Sequence, residues 1–122
     1  MKTWKPISEE AILDKISESW NRMNHVQRDL WEAIRVNPCK WRLSPWGDEG
    51  DGFWVVGILG NKVIWFNDIE EGWNISTFTI AGTIHEYSCN QDELELQIHH
   101  LLDEIEGSKT SDRFARQPET NK

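Results

Sequence analysis

Gly60-Asn61 divides two runs rich in Val, Ile and aromatic residues, Phe53 to Leu59 and Lys62 to Ile69. Two such residues between two such runs specify a β-hairpin, because Gly and Asn tolerate the positive φ angles that the favoured tight turns need. With a two-residue loop, Leu59 stands opposite Lys62, and outward counting brings Phe53 opposite Asp68. Alternation then places Trp54, Val56, Ile58, Val63 and Trp65 on one face, and Phe53, Val55, Ile64 and Phe66 on the other. Both faces are apolar, so these are expected to be central strands, and something must cover each side.

The flanking sequence supplies the rest of a sheet. Lys40 to Leu43 reads as a short strand before the turn-rich stretch 44–52. Trp73 to Ile80 and the more polar Thr83 to Ser88 follow as further strands, the last at an edge. Helical spacing brackets the sheet. Ser8 caps a first helix, with Glu9 and Glu10 in its first turn, Ile7 and Ile12 as a hydrophobic staple, and a stripe through Ile16, Trp20 and Met23. Asn24 with Gln27 forms a capping-box pattern for a second helix, though one long helix through residues 8–36 fits the same stripe. Asn37-Pro38 closes the helical region. Asn90 with Glu93 is a second such box, before a stripe of Leu94, Ile98, Leu101, Leu102 and Ile105 that ends at Gly107. The predicted class is α+β: two N-terminal helices, a four- or five-stranded antiparallel meander and a C-terminal helix, with the helices on one sheet face. Residues 1–107 form one domain in this reading, and 108–122 a disordered polar tail.

Charge is unevenly distributed. Residues 1–46 carry 8 basic and 6 acidic side chains, whereas residues 47–106 carry one base, Lys62, against 13 acids. That sixty-residue stretch, at net −12, has no internal means of neutralising itself. Once folded it must present a negative potential. The whole chain, at net −8, argues against a nucleic-acid or anionic-membrane binder. Its longest apolar run falls well short of the roughly 20 residues of a membrane span. With no basic, apolar leader, a cytoplasmic location is expected. Cys39 and Cys89 lie far apart without a CxxC pattern, so they are expected as half-buried free thiols.

Tryptophan is the compositional outlier, with 8 residues. Trp20, Trp31, Trp54 and Trp65 fall within apolar stripes and are expected in the core. Trp41, Trp46 and Trp73 flank turns among Gly and acidic residues, where an indole can serve as an exposed anchor. The hairpin register sends residues 48–51 and 70–71 to the same sheet end. Trp46, Asp48, Glu49, Asp51, Asp68, Glu70, Glu71 and Trp73 are therefore the candidate partner-binding set. Indoles among carboxylates suit Arg and Lys side chains, through cation–π contact and charge-assisted hydrogen bonds. Gly-Asp-Glu-Gly-Asp-Gly does not follow EF-hand spacing, and no metal or cofactor is expected. His99 and His100, each four residues before an acid, read as local pairs, and no nucleophile motif is present.

Gly47-Asp48-Glu49-Gly50-Asp51-Gly52-Phe53-Trp54 and Trp65-Phe66-Asn67-Asp68-Ile69-Glu70-Glu71-Gly72-Trp73 carry a resemblance. Through them the chain resembles small acidic, Trp-rich bacterial proteins. In size and charge it is similar to immunity proteins that neutralise secreted toxins. The resemblance implies an acidic, aromatic-edged surface that masks a cationic active site, and it carries over no catalytic residue. The expected function is a non-enzymatic binding module for a basic protein partner. The alternatives are a small enzyme or ligand-binding domain with a pocket on the uncovered sheet face, or a structural homodimer that buries that face.

Overall fold

The structure is a computed structural model that describes residues 5–120, without the side chains of residues 49 and 108–120. Trp4, in the expected extended lead-in, lies outside the described residues. Helix α1 (Glu9–Arg22) starts at Ser8, whose hydroxyl accepts from the Ala11 N–H at 3.1 Å. Two helices form, not one. Met23 is extended, and Asn24 opens α2 (His25–Ile34) through a reciprocal box with Gln27, both bonds 2.8 Å.

Four antiparallel strands follow in the order β1-β2-β3-β4: β1 (Arg35–Trp41), β2 (Phe53–Leu59), β3 (Lys62–Asn67) and β4 (Gly72–Thr77). With α3 (Leu94–Thr120) the architecture is α+β, with all three helices contributing to one face of an open sheet. β1 begins five residues before the strand expected at Lys40 and contains Asn37-Pro38. It tolerates that proline because it is an edge strand whose register is already irregular between Arg35 and Cys39.

The hairpin forms with Leu59 opposite Lys62, but its expected register fails further out. Val55 faces Trp65 while Gly57 faces Ile64, so Val56 is an extra residue, a β-bulge. One residue of slip changes which side chains share a face. Trp54 and Val56 join Ile64, Phe66 and Trp73 beneath the helices, where Ile12, Trp31, Ile34, Leu94, Ile98 and Leu101 complete a buried cluster. Phe53, Val55 and Ile58 join Val63 and Trp65 on the opposite face. Gly57 lets α2 come close: a Cβ there would stand 3.4 Å from the Trp31 ring and 3.3 Å from Ile64.

The opposite face is not uncovered. Leu43, Ile84, Phe78 and Tyr87 pack over Trp41, Phe53, Val63 and Trp65. The residues expected as a fifth strand, Thr83 to Ser88, are instead part of an irregular strap over 78–92, and β4 stops at Thr77 rather than Ile80. The strap bridges to Arg42 beyond β1, with Arg42 N–H to Gly82 O and Ile84 N–H to Arg42 O both at 2.8 Å. It also bonds the outer edge of β4, through His85 N–H to Thr77 O at 3.0 Å and Trp73 N–H to Asp92 O at 2.9 Å.

The second capping box is absent. The main-chain N–H and C=O of Asn90 are both held by the Asn74 side chain, and α3 starts four residues later. Its far end also differs: Gly107 does not take a left-handed conformation, and helical backbone continues through the expected tail to Thr120. No described helix is long and apolar enough to cross a membrane.

Candidate functional site

The β1–β2 connection and the β3–β4 turn leave the sheet at one end, as the hairpin predicts. The first is shaped by glycine. Gly52 adopts φ +108°, and a Cβ there would lie 2.1 Å from the Trp41 carbonyl oxygen, so no side chain fits. Asp48 to Gly50 make one 3-10 turn, and the Asp48 carboxylate accepts from the Ser44 hydroxyl at 2.9 Å. Lys40 clamps this loop from β1. Its ammonium donates to the Gly50 carbonyl at 2.5 Å and lies 4.9 Å from the centre of the Trp54 ring.

Trp46 is the exposed indole of the set, at 43% exposure. It stacks on Tyr87 with ring centres 4.4 Å apart and an interplanar angle of 18°, so a strap residue fixes its orientation. Tyr87 in turn approaches Phe53 and Trp65, and its hydroxyl accepts from Asn67 Nδ2 at 3.0 Å. Asp48 and Asp51 are exposed in the same loop, as are Glu70 and Glu71 in the other. Glu49 has no described side chain.

Two expected members turn inward. Trp73 is 2% exposed and packs edge-on against Phe66 at 4.9 Å under the helices, so it anchors core and not a partner. Trp41 is buried too. Asp68 is buried, its Oδ2 accepting from the Ile7 N–H at 2.8 Å, which ties the lead-in of α1 to the sheet. Burial pushes the Asp68 carboxyl up from its ordinary value; the Ile7 and Asp68 N–H groups and the charge of Lys40 oppose that rise. The set thus divides into an exposed part (Trp46, Asp48, Asp51, Glu70 and Glu71) and a structural part (Asp68 and Trp73). Among the described residues no group of three or more His, Cys, Asp or Glu side chains is arranged to hold a metal ion.

Sequence reasoning missed the polar residues that build this end. Asn67 is fully buried; its Oδ1 accepts from the N–H groups of Ile69 and Glu70 at 3.0 and 3.2 Å, shaping the acidic turn. Its Nδ2 reaches the strap at Tyr87 Oη and the Ser88 carbonyl, both at 3.0 Å. The available signal was an amide at an inward position of an otherwise apolar strand. Tyr87, the sole tyrosine, was hidden in a segment read as a polar edge. Of the expected histidine pairs, His99 lies 3.4 Å from Asp103, whereas Glu104 pairs with Lys62 of β3. Cys39 and Cys89 are free, and both are exposed where half-burial was expected.

Comparison with protein-family models, curated proteins and solved structures yields no match.

Proposed function

We propose that the chain is a non-enzymatic acidic binding module, and that the sheet end bearing Trp46 receives a basic protein partner. The observation that carries this reading is an exposed indole, stacked on Tyr87, in a loop that also exposes the carboxylates of Asp48 and Asp51. Two indoles at this end already differ in what they hold. Trp54 has the Lys40 ammonium on its face, while Trp46 offers its outer face to solvent. A partner Arg or Lys on Trp46 would make the same cation–π contact that Lys40 makes on Trp54 within the chain. A secreted toxin with a cationic active site is a partner of this chemistry, and masking it would need no catalytic group on this side. The covered second face removes the motive for a pocket or a homodimer interface there.

The test is capture from the producing cells with wild type and with a variant carrying Asp48→Asn, Asp51→Asn, Glu70→Gln and Glu71→Gln. Association with the purified partner is then timed at low and high salt. Steered association should slow steeply with salt and fall about tenfold or more in the variant, as it does for electrostatically guided pairs. An on-rate indifferent to both would refute the proposal.

A further inference from the structure

We propose that the outer edge of β4 at Ile75 is a second binding site, which takes an extended peptide segment carrying a basic side chain. The argument begins with alternation. Trp73 sends its N–H outward to Asp92, and Thr77 sends its C=O outward to His85. Ile75, between them, turns its N–H and C=O the same way, and no hydrogen bond among the described residues takes them up. The reason lies in the strap. Asn74 and Ser76 point to the second sheet face and hold Asn90 and the Glu86 carbonyl there, so the strap passes Ile75 on that side. Helix α3 passes on the other. Between them lies a groove of about 390 Å³ lined by Ile75, Glu86, Asn90, Gln97, His100 and Glu104 among others.

Gln97 is the independent pointer to a ligand. It is 3% exposed, and its Nε2 donates to the Trp73 carbonyl at 2.8 Å and to Asp92 Oδ2 at 3.1 Å. Both partners are acceptors, which fixes the amide with its nitrogen toward them. The Oε1 is left on this groove-lining side chain with no donor among the described residues. That oxygen is not sealed from solvent, so a ligand lying in the groove can bring it an N–H. A main-chain N–H and C=O on the β4 edge, with a free amide oxygen beside them, match a peptide backbone adding to a sheet edge. Lys62 also lines the groove and is engaged by Glu104, so Glu86 is the carboxylate left to favour a basic side chain.

This site is separate from the Trp46 end, because the groove runs from Ile75 toward Thr77 and away from the acidic turn. The probe is acetyl-Thr-Lys-Val-Lys-Thr-amide, titrated into isotopically labelled protein while the Ile75 amide and the Gln97 side-chain amide are followed by NMR. Both resonances should shift saturably. Ile75→Pro, which removes only an outward N–H from an edge strand, should bind about tenfold more weakly than Ile75→Val, the loss expected for one good hydrogen bond. The same peptide with Glu in place of Lys should also bind more weakly. Should Ile75→Pro fail to fold by circular dichroism, the double variant Glu86→Gln with Glu104→Gln takes its place, with weaker lysine-peptide binding expected. Unmoved resonances at millimolar peptide, or equal binding by variant and control, overturn the proposal.

Discussion

The two faces of the sheet bury aromatic and aliphatic side chains to the same depth by different means. Beneath the helices the cover is built from apolar stripes, because a helix satisfies its own backbone and can offer a face free of polar groups. Over the other face the cover is an irregular strap, whose N–H and C=O groups need partners from elsewhere. The sheet supplies many of them from side chains. Asn67 holds Ser88 and Tyr87, Asn74 holds Asn90, and Ser76 Oγ donates to the Glu86 carbonyl at 2.9 Å while accepting from Trp65 Nε1 at 3.0 Å. An irregular cover thus requires buried polar residues in the strands, and one of them, Asn67, also shapes the exposed Trp46 end.

The largest expected effect comes from truncating each face in turn. Trp65→Ala, at a fully buried ring beneath the strap, and Ile98→Ala, on the fully buried stripe of α3, should cost about 3–5 and 2–5 kcal/mol, read by denaturant unfolding. The comparison would break if Trp65→Ala were nearly silent, since the strap would then not be a true cover. Asn67→Ala should cost about 2–3 kcal/mol, because a fully buried amide gives up its bonds to Ile69, Glu70, Tyr87 and Ser88 together. Hydrogen exchange should then quicken at His85 and Asn90 while the amides of α1 stay protected. Uniform loss across both faces would show that the strap is not separately held. Gly72→Ala acts on the same seam: its Cβ would stand 2.1 Å from the Asn90 carbonyl oxygen, so the strap must move, at about 1–3 kcal/mol.

Two carboxylates should give opposite responses to pH. The folded protein raises the Asp68 carboxyl above its ordinary 3.8, so the ion costs stability at neutral pH, and that cost disappears as pH falls through the raised value. Asp68→Asn should therefore lose ground to wild type as pH falls from neutral toward 3.8, measured as paired unfolding curves. Burial alone would raise Glu95, but the Arg22 guanidinium, its own N–H and Ser19 hold it below its ordinary 4.5. Its contribution is present above 4.5 and is lost as pH falls through the lowered value, so wild type should lose its lead over Glu95→Gln there. The smallest effect belongs to exposed ion pairs. Arg35→Ala, which breaks the contact to Glu32 at 3.3 Å, should cost under about 1 kcal/mol and shrink further in salt.

Local chemistry made much of the fold legible. Ser8, and Asn24 with Gln27, declare their helices because a cap is a contact between residues three apart, and Gly60-Asn61 declares its hairpin for the same reason. The candidate site was half legible. Turn geometry brought the two acidic loops to one end, but nothing local to Trp73 or Asp68 says that the helices will cover one and Ile7 will bind the other.

The sequence alone determined the class of fold, the helix starts and the shared sheet end of the acidic loops, since each follows from neighbours along the chain. The tertiary structure decided the bulge at Val56, the choice of face for every residue beyond it, the strap in place of a fifth strand, and which indole meets solvent. Those outcomes depend on whether Gly57 admits α2 and whether Asn67 and Asn74 reach the strap. Contacts between residues up to some twenty positions apart and beyond settle them, and no window of adjacent residues records their energies.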